Sequence, residues 1–187
     1  MSPDLVVLLD PDGRAVGSHD RATVHHASTP LHLGFSCYLL APDGRMLVTR
    51  RALTKRTWPG VWTNAFCGHP RPGESETAAI RRHAQHELGI DLATLDPALP
   101  DFRYTATDAA GVVENEICPV WIATTLDPLD PNPHEVMDAR WVERTALEEA
   151  ARVAPWAFSP WMVEQLVQLA ALPTTPLPRE PATARAS

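Results

Sequence analysis

Apolar and polar residues alternate along the chain in a way that predicts short strands, a few helices and two long polar connections. The apolar run 5–9 ends at an Asp-Pro-Asp-Gly turn signal and predicts a strand. The runs 31–40 and 46–49 flank a second Asp-Gly turn, which is typical of a β-hairpin. Residues 17–30 are polar without a clear period, whereas 50–73 form a connection rich in Arg, Trp, Pro and Gly. A connection of that length in a compact domain is more often functional than idle.

Three segments carry the signals of helices. Residues 74–88 are the strongest case, because Ser75 is suited to cap the first turn, apolar residues recur every four positions and a glycine follows the last of them. A capping box that begins at Thr145 opens a second predicted helix. Ser159 followed by a proline opens a third, which ends at about Ala171.

The remaining elements set the predicted fold class. Strands are expected at 102–108, 112–125 and 140–142, with a Pro-rich connection before the first of them. The order strand, hairpin, helix, strands, helix, helix predicts an α/β (α+β) fold, in which helices flank a mixed β-sheet. We expect one domain over 1–172 and a disordered, Pro-rich tail over 173–187.

Length, composition and charge exclude several classes of protein. The 187 residues suit a single domain, and no apolar run approaches the length of a membrane span. The net charge of −7 disfavours nucleic-acid binding, which usually requires a basic face. Three widely spaced cysteines and no signal sequence favour a reducing cytoplasm over a secreted disulfide framework. No heptad pattern or long apolar patch calls for a dimer, so a monomer is expected.

The densest group of reactive side chains lies between 62 and 90. Cys67 and His69 are two residues apart and, on an extended chain, point to the same side. Gly68 between them allows a ligand to approach the backbone closely. Glu87, near the end of the following predicted helix, is well placed for a hard cation such as Mg²⁺ that bridges substrate phosphates.

A second group combines carboxylates and imidazoles. Glu114 and Glu116 share one face of a predicted strand, where they repel each other unless a cation lies between them. Together with His25, His32 and His69 they suit a divalent transition metal such as Mn²⁺ or Zn²⁺ better than Ca²⁺. Each of these residues alone is more often an ordinary surface or core residue, so the residue chemistry leaves a structural interpretation open.

The spacing of Gly68, Glu74, Arg82, Glu87 and the glycine at 89 resembles the Nudix box, G-x5-E-x7-R-E-U-x-E-E-x-G-U. The box is degenerate, because histidines occupy positions 83 and 86, where glutamates are usual. A Nudix hydrolase needs that acidic cluster to hold the Mg²⁺ ions that support water attack at phosphorus. Its loss argues against hydrolysis.

Several further segments together resemble the type I isopentenyl-diphosphate isomerases, which have the Nudix fold. They extend from about residue 5 to about residue 167 in the family's order, which makes the resemblance specific. The matching segments are 29–33, 47–53, 58–62, 63–70, 102–104, 114–116 and 156–161.

The resemblance implies a role for each matching residue. Cys67 and Glu116 correspond to the family's catalytic cysteine and glutamate, Tyr104 to a tyrosine that hydrogen-bonds that glutamate, and Trp161 to an indole that lies over the reacting carbons. The residues corresponding to ligands of a tightly held divalent metal, Mn²⁺ or Zn²⁺, are His25, His32, His69, Glu114 and Glu116.

A further set corresponds to the binding site for the substrate diphosphate. Glu87 and the backbone carbonyl of Cys67 match the site of the Mg²⁺ ion that accompanies the diphosphate. Arg51 and Lys55 match basic residues that bind it, and Arg21 stands where a lysine is usual. The implied reaction interconverts isopentenyl diphosphate and dimethylallyl diphosphate, a step of isoprenoid precursor synthesis. The alternatives are a Nudix hydrolase and a non-catalytic module that binds a metal or a diphosphate.

Overall fold

The structure is a computed structural model that describes residues 4–172. The predicted domain 1–172 therefore falls almost wholly within it, and the predicted disordered tail, 173–187, lies outside the described residues. No helix among residues 4–172 is both long enough and apolar enough to cross a membrane.

Twelve strands, three α-helices and one 3₁₀ turn make up the described chain. The strands are Leu5–Leu9 (β1), Ala15–Asp20 (β2), His32–Leu33 (β3), Phe35–Leu40 (β4), Met46–Arg51 (β5), Trp62–Thr63 (β6), Phe66–Gly68 (β7), Thr94–Leu99 (β8), Arg103–Thr107 (β9), Val113–Ile117 (β10), Val120–Thr124 (β11) and Val136–Val142 (β12). The helices are Glu76–Leu88 (α1), Arg144–Val153 (α2), the 3₁₀ turn Pro155–Ala157 and Pro160–Ala171 (α3).

The strands form two mixed sheets. One has the order β2-β1-β3-β10-β9, in which β3 and β10 run parallel. The other has the order β12-β5-β4-β11-β8, with β4 and β11 parallel, while β6 pairs with β5 and β7 with β4. Mixed sheets flanked by helices agree with the predicted α+β class.

The central strand β4 shows how the larger sheet is buried on both faces. Successive side chains of a strand point to opposite faces. Phe35 and Leu39 accordingly belong to the core that packs under α1, whereas Tyr38 belongs to the core under α2 and α3. Ser36, one residue before Cys37, lies on the same face as Tyr38 and reaches the functional cavity described below.

Several strands differ from the prediction for identifiable physical reasons. The strand β2 is mostly exposed and pairs only with β1, so its sequence carries no apolar alternation. The Pro-rich segment is the strand β8, which tolerates Pro97 because it lies at the edge of its sheet. The predicted strand 112–125 is two strands, β10 and β11, which belong to different sheets and are separated by Pro119. Two short strands, β6 and β7, lie within the predicted connection 50–73.

Helix ends agree with the prediction at α1 and differ at α2. Ser75 caps α1, since its side chain accepts a hydrogen bond from the amide of Ala78 at 3.2 Å, and Gly89 ends the helix with a left-handed φ of 66°. The predicted capping box at Thr145 does not form, because α2 begins two residues earlier, with Glu143 rather than Thr145 at the N-cap and no side-chain cap.

Glu74 and Arg82, two residues of the Nudix-like segment, form an ion pair. Arg82 donates to both carboxylate oxygens of Glu74, at 2.8 and 2.7 Å, and to the carbonyl of His69 at 3.1 Å. The guanidinium therefore links α1 to the loop that carries both His69 and Glu74.

This ion pair predicts a pH-dependent contribution to stability. The hydrogen bonds from Arg82 lower the pKa of Glu74 from 4.5 to about 2. Replacing Glu74 by Gln should cost about 1 kcal/mol of unfolding free energy at neutral pH, because the pair is partly exposed. A depressed carboxyl pKa gives stability that is complete above the ordinary pKa and is lost as the pH falls toward the folded one.

Urea unfolding of the two proteins at pH 7 and pH 3 measures the effect, and the difference should shrink at pH 3. Glu149→Gln, which removes an exposed ion pair with Arg152, is the matched control. A Glu74 effect of equal size at both values of pH would contradict the assignment.

Candidate active site

One cavity of about 740 Å³ collects the side chains predicted for the site. It is lined by the connection after β5, by β7, by β9 and β10 and by the end of α1. Every predicted site residue except His32 lines it, and His32 is fully buried behind the wall. The residues from the predicted sites that line it are Arg21, His25, Arg51, Lys55, Cys67, His69, Glu87, Tyr104, Glu114, Glu116 and Trp161.

Four of the five predicted transition-metal ligands converge on one point. One ligand atom from each of His25, His32, His69 and Glu116 lies within 4.8 Å of the other three. The imidazole rings are 5.0 to 5.6 Å apart, and the Nε2 atoms of His32 and His69 are 3.3 and 2.9 Å from Glu116 Oε1. The fifth predicted ligand, Glu114, lies next to this group, with Oε2 3.0 Å from His25 Nε2.

Unsatisfied atoms show that this arrangement suits a cation. His25 Nε2, His32 Nε2 and Glu114 Oε2 are buried without a hydrogen-bond partner among the described residues. Buried polar atoms are nearly always paired, so three such atoms in one place call for a ligand. Imidazole nitrogens and carboxylate oxygens together form a donor set for a divalent transition metal. The described residues therefore include a group that can hold such an ion.

Neighbouring side chains orient these ligands. Thr57 donates to Glu114 Oε1 at 2.7 Å, which leaves Oε2 to face His25. His32 Nδ1 is 2.9 Å from the carbonyl of Pro30, which fixes the ring and directs Nε2 toward the cluster. Partners of this kind commonly fix the tautomer and orientation of metal-binding histidines.

The register of the strands places the imidazole of His32 beside the carboxylate of Glu116. His32 on β3 is the register partner of Glu116 on β10, and Glu116 is the partner of Tyr104 on β9. The carboxylate lies directly over Gly34, where a Cβ atom would be 2.2 Å from Glu116 Oε2. Any side chain at position 34 would therefore displace the carboxylate.

The charge of Glu116 is stabilised although the group is buried. Burial raises the pKa of a carboxyl group, but the close contacts with His32 and His69 outweigh that effect and hold the pKa of Glu116 well below its usual value. The same interaction raises the pKa of His32 in spite of its burial. The interaction with Glu116 thus favours the charged form of His32, whereas burial lowers the pKa of His69.

Cys67 faces the cavity from β7 among three polar side chains. Its sulfur donates to Asn64 Oδ1 at 3.2 Å and is 3.3 Å from Ser36 Oγ. Burial raises the pKa of the Cys67 thiol to about 11, against the lowering effects of Ser36 and of the positive charge on Arg51. The side chain is therefore a thiol at neutral pH.

Trp161 lies beside Cys67 and is held on several sides. Its indole nitrogen donates to Asn64 Oδ1 at 3.1 Å, the guanidinium of Arg51 lies 5.4 Å from its ring centre, and the ring of Trp58 meets it edge-on at 5.3 Å. Trp58 has a φ of 42°, a left-handed value that is uncommon outside glycine. Such backbone conformations concentrate at functional sites.

Tyr104 lines the cavity as predicted, but in the described chain its hydroxyl does not make the predicted hydrogen bond to Glu116. It is the cross-strand partner of Glu116, and its ring packs 5.6 Å from Trp161 and 6.0 Å from Phe102. The hydrogen bonds found among residues 4–172 do not include one between its hydroxyl and Glu116. The expected hydrogen bond is thus missing from this structure, although the two side chains line the same cavity.

The predicted diphosphate-binding cations line the cavity but have protein partners. Arg21 pairs with Asp4, and Lys55 pairs with Glu135. Arg51 donates to the carbonyl of Thr57 at 2.9 Å. A diphosphate that entered this cavity would meet these charges, and it would compete with Asp4 and Glu135 for two of them.

Glu87 contacts a histidine rather than a second carboxylate. His83 Nδ1 is 2.8 Å from Glu87 Oε1, and the His83 ring covers Gly68 so closely that a Cβ atom there would lie 2.4 Å from it. Glu87 and Cys67 line the same cavity, as the predicted Mg²⁺ site requires.

Sequence inspection missed the residues that orient the site, namely Ser36, Thr57, Asn64 and Glu135. None belongs to a recognisable chemical pattern, because each acts on a side chain that is distant in sequence. Asn64 and Thr57 do lie in the connection 50–73, whose length indicates a functional role.

Comparison with known proteins gives consistent matches. A family model described as the NUDIX domain matches residues 30–162. An isopentenyl-diphosphate Delta-isomerase of Clavibacter michiganensis subsp. michiganensis (strain NCPPB 382) is 56% identical over 163 residues, which cover 87% of this chain and 84% of that protein. The protein of the same name from Brevibacterium linens is 52% identical over 166 residues, covering 89% and 91%.

Solved structures support the fold alone. A protein from Deinococcus radiodurans aligns with a TM-score of 0.69 at 18% identity, covering 88% of this chain and 98% of that one. A MutT protein from Methanosarcina mazei Go1 aligns with a TM-score of 0.61 at 17% identity, covering 75% and 94%.

The cluster around Glu116 predicts that the protein binds a divalent transition metal and is stabilised by it. An ion that binds only the folded state at about 100 times its Kd should add about 2.7 kcal/mol to the unfolding free energy. The protein should therefore retain Mn²⁺ or Zn²⁺ through dialysis, as measured by elemental analysis, and should melt at a lower temperature after chelation. His25→Ala should abolish retention.

His26→Ala is the control, because His26 is the next residue, is exposed and lies outside the cluster. Equal metal content in the two variants would exclude the proposed site.

Proposed function

Since the chain belongs to the Nudix family, and within it to the isopentenyl-diphosphate Delta-isomerases, it interconverts isopentenyl diphosphate and dimethylallyl diphosphate, and we propose that Cys67 and Glu116 carry out the two proton transfers. The family resemblance and the Nudix-like fold predicted from the sequence are confirmed. The observation that supports the proposed roles is that Cys67 on β7 and Glu116 on β10 reach one cavity from different strands.

The reaction requires an acid and a base in a site that excludes water. Moving the double bond adds a proton at C4 and removes one from C2, through a tertiary cation that water would capture. Both groups must therefore be buried and held on separate sides of the substrate. Glu116 is 5% exposed, and the Cys67 sulfur lies at the inner end of the cavity beside the buried Ser36 and Asn64.

We assign proton delivery to Glu116. A divalent cation bound by the histidine and glutamate cluster, which we propose to be Mn²⁺ or Zn²⁺, would make the carboxylic acid of Glu116 a stronger proton donor.

Cys67 takes up the proton from C2 as a thiolate, which requires that the one proton shared by the pair lies on Glu116 rather than on the sulfur when the reaction begins. The burial that raises the pKa of this thiol makes the deprotonated sulfur a stronger base. In the reverse direction the same group returns a proton to carbon, since each step of a reversible reaction uses the same groups. Arg51 favours the thiolate through its charge.

Trp161 and Tyr104 are proposed to complete the site around the reacting carbons. The face of an indole attracts a cation, by about 2 kcal/mol where water is excluded. Trp161 is 3% exposed and Tyr104 is 8% exposed, and their rings pack against each other at the cavity wall. We infer that they shield the cation as well as stabilising it.

The diphosphate is proposed to bind at the outer part of the cavity. Arg51, Lys55 and Arg21 supply positive charge there, and Arg21 suits the site because a guanidinium binds phosphate in a bidentate manner. A Mg²⁺ ion that accompanies the diphosphate would be held by Glu87 and the carbonyl of Cys67. Binding in this orientation leaves the hydrocarbon chain directed toward Cys67 and Glu116.

We also propose that the enzyme acts as a monomer in the cytoplasm. All the residues assigned to the site belong to one chain, so a partner subunit is not needed to complete it. A reducing compartment would protect the sulfur of Cys67 from oxidation.

Turnover in deuterated water tests the function. The protein is incubated with isopentenyl diphosphate and Mg²⁺, the product is followed by proton NMR and free phosphate is assayed in parallel. We expect dimethylallyl diphosphate that carries deuterium, without release of phosphate. Release of phosphate or diphosphate without isomerisation would indicate a hydrolase on the same fold, and the roles of Cys67 and Glu116 would then be withdrawn.

Substitution of the two proton-transfer residues separates their roles. Cys67→Ala should lower kcat by at least about 1,000-fold, since an acid–base group commonly contributes 10²–10⁴-fold, while the melting temperature changes little. Glu116→Gln should also abolish turnover and, unlike Cys67→Ala, should reduce the retained metal.

Cys37→Ala is the control, because Cys37 points into the core under α1. A Cys67→Ala enzyme with near-normal kcat would remove Cys67 from the mechanism.

A further inference from the structure

Three polar side chains that are fully buried form a chain of hydrogen bonds that ends at Cys67. Tyr38 donates its hydroxyl proton to Gln165 Oε1 at 3.0 Å, and Gln165 Nε2 donates to Ser36 Oγ at 2.9 Å. Ser36 Oγ is 3.3 Å from the Cys67 sulfur. Tyr38, Gln165 and Ser36 each have no exposed surface.

Stability alone does not account for this chain. Gln165 lies on α3 among the apolar residues Met162, Leu166 and Leu169, where an apolar side chain of the same shape would fit. Replacing both partners of a buried hydrogen bond by apolar groups is often neutral or stabilising. A polar chain retained in the core therefore points to a role at its end, which is the sulfur.

The hydrogen bond between Tyr38 and Gln165 determines the direction of the other hydrogen bonds in the chain. The buried phenol of Tyr38 has no acceptor for its proton other than Gln165 among residues 4–172, so the carboxamide oxygen of Gln165 must lie on that side. The amide nitrogen of Gln165 must then face Ser36, whose oxygen accepts that bond. The hydroxyl proton of Ser36 is left free to be donated to a sulfur.

Two sulfurs lie within reach of that proton, Cys67 at 3.3 Å and Cys118 at 3.5 Å. On its other side Cys67 donates to Asn64 Oδ1 at 3.2 Å. The Asn64 amide cannot rotate without losing bonds, because its nitrogen donates to the carbonyls of Cys37 and Phe66 at 3.0 and 2.8 Å. Cys67 therefore lies between a fixed acceptor and a fixed donor.

We propose that Ser36 is a positioning residue for the isomerisation, and that Tyr38 and Gln165 make its hydroxyl an obligatory donor to the sulfur of Cys67. This bond holds the sulfur at the cavity wall and stabilises the thiolate that takes up the proton from C2. The inference rests on the proposed role of Cys67 and adds the three residues that prepare that group.

Tyr38→Phe provides the sharpest test, because Tyr38 does not line the cavity and its hydroxyl bonds to Gln165 rather than to Cys67. Without the phenol, the Gln165 amide is free to rotate and accept the Ser36 proton, which then no longer reaches the sulfur. We expect kcat to fall about 2- to 10-fold, as for the loss of one neutral hydrogen bond, with KM for isopentenyl diphosphate within about twofold of the parent.

Ser36→Ala should lower kcat further, by about 10- to 100-fold, as for the loss of a hydrogen bond to a charged group. Because both changes act through one bond, the double variant should be no slower than Ser36→Ala alone. All rates are expressed per folded protein, as determined by circular dichroism, so that loss of stability does not count as loss of kcat.

One control separates this role from a purely structural one. Thr125→Val removes a buried hydroxyl that donates to the carbonyl of Asp91, outside the cavity. It should keep kcat within about twofold of the parent.

A Tyr38→Phe enzyme with the parent kcat, or effects of Tyr38→Phe and Ser36→Ala that multiply in the double variant, would overturn the inference. If Cys67→Ala is inactive in the same assay, the proposed function stands and only the role of Ser36 is lost. If Cys67→Ala remains active, both proposals fall.

Discussion

A carboxylate buried among imidazoles is the constraint on which this structure depends. Removing a carboxylate from water is costly unless opposite charge and hydrogen-bond donors surround it. Glu116 meets that requirement through His32 and His69, and the register of three adjacent strands places it between His32 and Tyr104. The two-residue strand β3 carries His32 and links β1 to β10, so it keeps His32 beside Glu116. The connection after β5, the β7 strand and α3 then close over the same point.

Much of the fold and most of the site could be predicted from the sequence, for different reasons. Strands with a buried face, such as β1, and helices with clear caps, such as α1, carry their signals locally. The edge strands β2 and β8 do not, because an exposed strand needs no apolar alternation and tolerates proline. The site residues were found through a family resemblance. What remained hidden were contacts such as Thr57 with Glu114, which depend on side chains that are brought together only by the folded chain.

The two histidines in the Nudix-like helix change what that helix can do. His83 pairs with Glu87 and packs edge-on against Phe35 at 5.3 Å, so a position that is usually acidic contributes to the core. His86 is exposed and lies 3.3 Å from Glu135, which also holds Lys55. Of the acidic side chains on α1, only Glu87 lines the cavity, and it lies near the C-terminal end of the helix. The helix thus provides a single carboxylate near the proposed diphosphate site, while the cluster around Glu116 lies on the sheet.

The contact between Glu116 and the bare backbone at Gly34 has a consequence for how this enzyme can be altered. Glycine replacement is a common route to a more stable protein, because it reduces the freedom of the unfolded chain. Gly17, on the exposed strand β2, has open space where a side chain would lie and is free to be exchanged. Gly34 and Gly68 are closed to that strategy, since a methyl group would strike the Glu116 carboxylate or the His83 ring. Mutant libraries aimed at heat resistance can therefore include exposed positions such as Gly17 and must leave Gly34 and Gly68 unchanged.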